Sequence, residues 1–262
     1  MSYETLNFGI ADNIATITLN RPDNANALNA KMAEELHKVS IICDTNDDIR
    51  CVVMTATGKL FCGGGDLAEM DSAGDDQEAH LLEMATLLHA GVIRLSKMDA
   101  PLIVAVNGTA GGGGFSLVLA GDYVISSDKA KFISAYTASA LTPDGSSTYF
   151  LAKHVGLLRA KELQMTNRML TAEEACDWGM VSRVVPHDDL MDEAMKMARK
   201  FAGGPTAAYG GVKRLALTAF SGEMEAQLDK ESISISSLMR GHDAPHGIKS
   251  FLHKEKPDFE GS

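Results

Sequence analysis

Apolar and polar positions along this chain follow two periods in turn, and each change of period marks a predicted element. LNFGI and IATITL straddle Ala11-Asp12-Asn13 and alternate or run in β-branched residues, which predicts a hairpin near the start. After the turn-rich NRPDNANALN, apolar Met32, Leu36, Val39, Ile42 and Cys43 recur at helical spacing between Ala30 and Asp44. CVVMTA (Cys51 to Ala56) then runs apolar without a break, as a strand buried on both faces does.

The same order repeats. A glycine loop within KLFCGGGDLAEM (Lys59 to Met70) leads to a helix from Gln77 to Lys97, the strand LIVAVN (Leu102 to Asn107), a second glycine loop GTAGGGG, a helix FSLVLAG and the strand YVISS. Apolar strands alternating with helices imply a parallel sheet covered by helices. Beyond Asp144 the pattern is nearly all helical, with segments at 146–155, 157–165, 171–178, 188–202, 205–219 and 223–238 and one short strand in VSRVV. The expected organisation is an α/β core of repeated ββα units over residues 1–200, followed by a helical region over 201–262.

Composition narrows the partners. A net charge of -11 with no run of basic residues argues against nucleic acid and anionic membranes, so an anionic ligand would have to be met locally. Cys43, Cys51, Cys62 and Cys176 form no Cys-x-x-Cys pair, and the polar start MSYETLNFG lacks a signal peptide, which together predict reduced thiols and a cytoplasmic location. No apolar run reaches the roughly 18 residues of a membrane span. His242 and His246 are spaced four apart, but Pro245 lies between them and a third ligand is missing, so no metal is expected. GFSLV lacks the last glycine of a nucleophile elbow, and TGKLF lacks the Ser or Thr of a phosphate loop.

The two glycine loops carry the strongest chemistry. Each follows a strand and opens a helix, where free N–H groups and the helix dipole can hold negative charge without a cationic side chain. Together with NRPDNANALN, PLIVAVNGTAGGGGFSLVLAGDYVIS, RAKELQMTNRMLTAEEACDWGMVSRVVP and FLHKEKPDF, these loops resemble the crotonase (enoyl-CoA hydratase/isomerase) superfamily over essentially the whole chain. The resemblance implies a crotonase-like spiral of ββα units with a C-terminal helical trimerisation region, assembled as a homotrimer or a dimer of trimers. It also implies an acyl-CoA thioester substrate with no cofactor beyond the coenzyme A the substrate carries. Gly65 and Gly113 would offer the two N–H groups that bind the thioester oxygen, with Gly63 and Gly112 beside them. Asn24, Ala25, Ala27, Asp66 and Leu67 would hold the coenzyme A, and Phe251 and Lys254 would reach the nucleotide of a neighbouring subunit.

The family's hydratases use two glutamates, at positions that are Ser116 and Tyr136 here. That leaves Asp144 in LTPDGSS, by pattern alone an ordinary helix cap, but by resemblance the single acid/base of epoxide and Δ3,Δ2-enoyl-CoA isomerases or the nucleophile of 4-chlorobenzoyl-CoA dehalogenases. His89 falls where those dehalogenases carry the base that activates water; by pattern alone it is a satisfied helix residue. Tyr136 replaces a dehalogenase tryptophan and is assigned to substrate binding. The expected activity is enoyl-CoA isomerisation with Asp144 as acid/base; dehalogenase-type hydrolysis, hydration and a non-catalytic acyl-CoA-binding trimer are the alternatives.

Overall fold

The computed structural model describes residues 2–262. Its strands are β1 (Leu6–Ala11), β2 (Ile14–Leu19), β3 (Cys51–Ala56), β4 (Leu60–Cys62), β5 (Leu102–Val106), β6 (Thr109–Gly111), β7 (Tyr123–Ser127), β8 (Lys131–Ile133), β9 (Leu170–Thr171) and β10 (Arg183–Val185). The helices are α1 (Ala30–Thr45), α2 (Leu67–Ser72), α3 (Gln77–Lys97), α4 (Gly113–Leu119), α5 (Ser147–Val155), α6 (Leu157–Thr166), α7 (Ala172–Asp177), α8 (Leu190–Ala202), α9 (Thr206–Thr218), α10 (Met224–Ser237) and α11 (Asp243–His253). The strands form two sheets, one in the order β1-β2-β3-β5-β7-β10 and one in the order β4-β6-β8-β9.

β1 and β2 pair antiparallel through a two-residue turn at Asp12 and Asn13, both at positive φ, the turn whose twist suits a hairpin and whose residues tolerate that conformation. From β2 to β10 the large sheet is parallel. Its strands read as continuous apolar runs because both faces are covered. Cys51 and Val53 of β3, with Ile103 and Ala105 of β5, pack under Leu190, Ala194 and Ala198 of α8. Val52, Met54, Leu102, Val104 and Val106 point the other way, into the main core against Met32, Leu36 and Val39 of α1.

The second sheet was not expected from the sequence, because strands of two or three residues leave no period to read. It is where the glycine loops start: β4 and β6 run parallel and deliver both loops to one edge. FSLVLAG is also corrected, since α4 begins two residues earlier at Gly113. The α2 and α11 helices are additions to the predicted set. Burial pushes the Cys43, Cys51 and Cys62 thiols up to about 12, and all four cysteines are free. Among the described residues no helix is long and apolar enough to cross a membrane.

Candidate active site

The two glycine loops meet main chain to main chain. Gly64 has φ +116°, and a Cβ on it would stand 3.4 Å from the Gly111 carbonyl oxygen. Gly112 has φ 49° and ψ -123°, and a Cβ there would stand 3.3 Å from the Gly64 Cα. These two glycines are required by backbone conformation and by the contact between loops.

Gly65 and Gly113, their neighbours, present main-chain N–H groups with no acceptor among the described residues. Around Gly65 the other groups are committed: Leu28 N–H donates to the Gly64 carbonyl at 2.7 Å, and Asp66 N–H donates to the Leu28 carbonyl at 2.8 Å. Gly113 opens α4, so its N–H lies at the positive end of that helix. Both glycines line a cavity of about 400 Å³. Its walls are mainly aliphatic, from Leu28, Leu67, Met70 and, along one face of α3, Leu81, Met84 and Leu88; Tyr136 is its one aromatic residue among the described chain. The α3 face was readable as helical periodicity, but its role as a cavity wall was not.

Asp144 lines the same cavity. Its carboxylate does not cap α5: the residue before that helix is Ser146, without a side-chain bond, and Asp144 contributes only its carbonyl to Ser147 N–H at 3.0 Å. Instead Oδ1 accepts from the Tyr136 hydroxyl at 2.6 Å, and Oδ2 lies 3.2 Å from His89 Nε2. Burial works to raise the Asp144 carboxyl, but the His89 and Tyr136 hydrogen bonds and the His89 charge outweigh it and hold the group below its ordinary value. Burial, together with the Asp144 charge, pushes the Tyr136 phenol far up, so it stays a neutral donor.

His89 is therefore not merely a helix residue; the fold brings it onto Asp144 across 55 positions of sequence. It is outside the cavity lining, and its side chain is 41% exposed. Its Nε2 has a second neighbour, the Gly145 N–H at 3.0 Å. Leaving that buried N–H unpaired costs about 1–3 kcal/mol, and a hydrogen bond to a charged carboxylate is worth about 1.5–3 kcal/mol. The two claims on Nε2 are thus closely matched.

Ser116 is buried and bonds the Tyr136 hydroxyl at 2.8 Å and the Asp144 carbonyl at 2.9 Å. Reading the sequence gave Ser116 only as a lost carboxylate, so its tie to the acidic loop was missed. Glu78, the other acidic residue at the cavity, is exposed in the first turn of α3.

Asn24, Ala25 and Ala27 lie in the loop over the first glycine loop, with Ala25 at φ 55° accepting from Gly63 N–H at 2.9 Å. Arg21, not singled out beforehand, joins the two segments by donating to the Ala27 carbonyl at 2.5 Å and the Asp66 carboxylate at 2.9 Å; Asp66 also caps α2. Phe251 and Lys254 stand outside this group: neither lines the cavity, Phe251 is exposed and Lys254 ends α11 at φ 60°. His242 and His246 stack with ring centroids 5.1 Å apart, and no three metal-ligating side chains converge among the described residues.

Two free N–H donors facing a carboxylate across an aliphatic cavity suit the making of an oxyanion beside an abstractable proton, and comparison with known proteins agrees. The enoyl-CoA hydratase/isomerase family profile matches residues 9–262. The chain is 35% identical over 250 residues to the 1,2-epoxyphenylacetyl-CoA isomerase of Escherichia coli K12, covering 95% of each protein. It is 32% identical to the 4-chlorobenzoyl coenzyme A dehalogenase-2 of an Arthrobacter species, over 90% of this chain and 84% of that one. The solved structure of an enoyl-CoA hydratase from Bacillus anthracis superposes with a TM-score of 0.91 at 29% identity, over 99% of this chain and 100% of the other. The chain belongs to the enoyl-CoA hydratase/isomerase family, has the crotonase fold and is an enzyme of the isomerase or lyase kind.

Proposed function

We propose that this enzyme isomerises an acyl-CoA through a thioester enolate, shifting a double bond or opening a strained ring, with Asp144 as the acid/base. The observation that carries this reading is the Asp144 carboxylate lining the same cavity as the unpaired N–H groups of Gly65 and Gly113, while Ser116 and Tyr136 occupy the positions of the hydratase glutamates. The thioester oxygen accepts from the two glycines, each donor being worth about 3 kcal/mol once charge develops on that oxygen. The C2 proton becomes acidic, Asp144 takes it, and the same carboxylate delivers a proton at C4. The loop with Asn24, Ala25 and Ala27, joined to Gly63, Asp66 and Leu67, holds the coenzyme A, and the cavity takes the acyl group.

The assembly is a homotrimer or a dimer of trimers. In support, exposed large apolar side chains are frequent between residues 201 and 262, among them Val212, Phe220, Ile233, Ile235 and Phe251, as in a region that packs against another chain. Residues 201–262 would form the trimerisation region, and Phe251 and Lys254 would then meet a neighbour's nucleotide. A single-chain mass in sedimentation equilibrium rules this assembly out.

The His89–Asp144 contact favours a second reading, hydrolysis of an aryl halide through an aspartyl ester. The aliphatic walls and the absence of His89 from the cavity lining weigh against it, because the base must reach water at that ester. Assay of 3-enoyl-, 2-enoyl- and 4-halobenzoyl-CoA separates isomerisation, hydration and dehalogenation. Asp144→Asn should lower isomerisation by about 10³-fold or more with acyl-CoA binding little changed, and Glu78→Gln should not. Near wild-type isomerisation by Asp144→Asn places the base elsewhere.

A further inference from the structure

Resting on the isomerase reading, we propose that Asp144 and His89 act as one composite base: the carboxylate takes the substrate proton and His89 Nε2 stores it, with the Gly145 N–H holding the ring in the tautomer that leaves Nε2 bare. A main-chain N–H can only donate, so the Gly145 contact at 3.0 Å makes Nε2 an acceptor and puts the ring hydrogen on Nδ1. Nδ1 has no partner among the described residues and is not one of the chain's buried unpaired nitrogens; with the side chain 41% exposed, it keeps its hydrogen toward water. Nε2 has one lone pair, which the Gly145 N–H occupies at rest, and it stands 3.2 Å from Oδ2, so it takes a proton from the carboxylate as that N–H gives way.

The other side of Asp144 offers no store. The Tyr136 hydroxyl donates to Oδ1, and its partner Ser116, buried, leads only to the carbonyls of Asp144 and Gly112. The Tyr136 hydroxyl bonded to Oδ1 favours the ionised carboxylate, which makes Asp144 a poor holder of a proton. Besides these groups, the charged residue closest along α3 that also lines the cavity is the exposed Glu78; no other charged side chain is bonded to Asp144 or His89 among the described residues.

The step balances within the pair and substrate. The C2–H bond breaks and its electrons enter the enolate. The proton bonds to Asp144 and passes from Oδ2 to Nε2 as the Gly145 N–H gives up that lone pair, leaving an imidazolium beside a carboxylate. The same proton returns through Asp144 as the C4–H bond forms. None enters from or leaves to solvent. His89 acts through Asp144 and is a positioning and storage residue.

The test is nitrogen NMR of enzyme labelled in its histidines, alone and with a 3-oxoacyl-CoA, whose acidic C2 proton is given up when the bound enolate forms. The near-ultraviolet absorption of that enolate reports the oxyanion site independently. The resting His89 should show a bare Nε2 and a protonated Nδ1, and Nε2 should become protonated as the enolate appears. A resting Nε2–H, or an enolate formed without protonation of Nε2, overturns the composite base while leaving the isomerase reading intact; absence of an enolate overturns both. His89→Gln offers a donor and an acceptor in place of the ring but cannot store a proton. It should lower kcat by about tenfold or more with KM nearly unchanged. An unchanged kcat also overturns the proposal.

Discussion

Tyr136 donates its phenol hydrogen to the Asp144 carboxylate at 2.6 Å. The consequence reaches beyond catalysis into stability. Asp144 is held below its ordinary value in the folded chain, so the folded state binds its proton less readily than the unfolded state does. Such a group contributes stability that is fully present above the unfolded value, about 3.9, and is lost as pH falls through the lower folded value. Tyr136→Phe removes the donor to Oδ1. Urea midpoints should therefore differ most between the variant and the wild type near neutral pH and converge in acid below about pH 4. A difference that grows in acid would mean Tyr136 does not hold the ionised form. The pairing itself was not legible in the sequence, since His89 and Asp144 stand 55 positions apart and neither lies in a motif that names the other from residues alone.

Legibility follows length and period. The α3 helix, predicted from Gln77 to Lys97, is observed over those residues because its apolar face repeats through many turns. The second sheet escaped notice because β4, β6, β8 and β9 are two or three residues long. Its absence also displaced α4, whose first turn was assigned to the glycine loop. That correction matters for the proposed oxyanion site, because the first position of a helix tolerates proline and its N–H has no helical acceptor. Gly113→Pro thus removes the donor where the backbone can accept the ring. A Cβ at this position would come 2.5 Å from the Leu28 Cδ1, a cost that Gly113→Ala shares while keeping the N–H. The two variants should show similar losses in Tm, but the proline variant should have a kcat about 10²–10³-fold lower than the alanine variant. Equal kcat values would show that the Gly113 N–H is not used.

The C-terminal helices are joined to the sheet by an ion pair between a buried lysine and a partly exposed aspartate, which the sequence did not disclose. Lys213 of α9 donates to the carbonyls of Leu95 at 3.0 Å and Ala100 at 2.9 Å and lies 2.7 Å from Asp122, whose Oδ2 also accepts from Leu102 N–H at 2.8 Å. One ammonium thereby ties α9 to the last turns of α3, to the entry of β5 and to the chain just before β7. Burial pushes Asp122 up and Lys213 down, opposed in each case by the partner's charge, so each member is costly alone and tolerable as a pair. Lys213→Met should cost about 1–3 kcal/mol, because the Leu95 and Ala100 carbonyls lose their donor and the partly exposed Asp122 loses its cation. Adding Asp122→Asn to that variant removes the stranded charge and keeps an acceptor for Leu102 N–H. The double variant should therefore be more stable than Lys213→Met, and the two single costs should exceed the double cost by about 1 kcal/mol or more. Urea unfolding of all four proteins at one fixed protein concentration measures this cycle and keeps any association constant. Additive costs would mean that Lys213 holds α9 through its two carbonyl contacts and that the Asp122 charge takes no part.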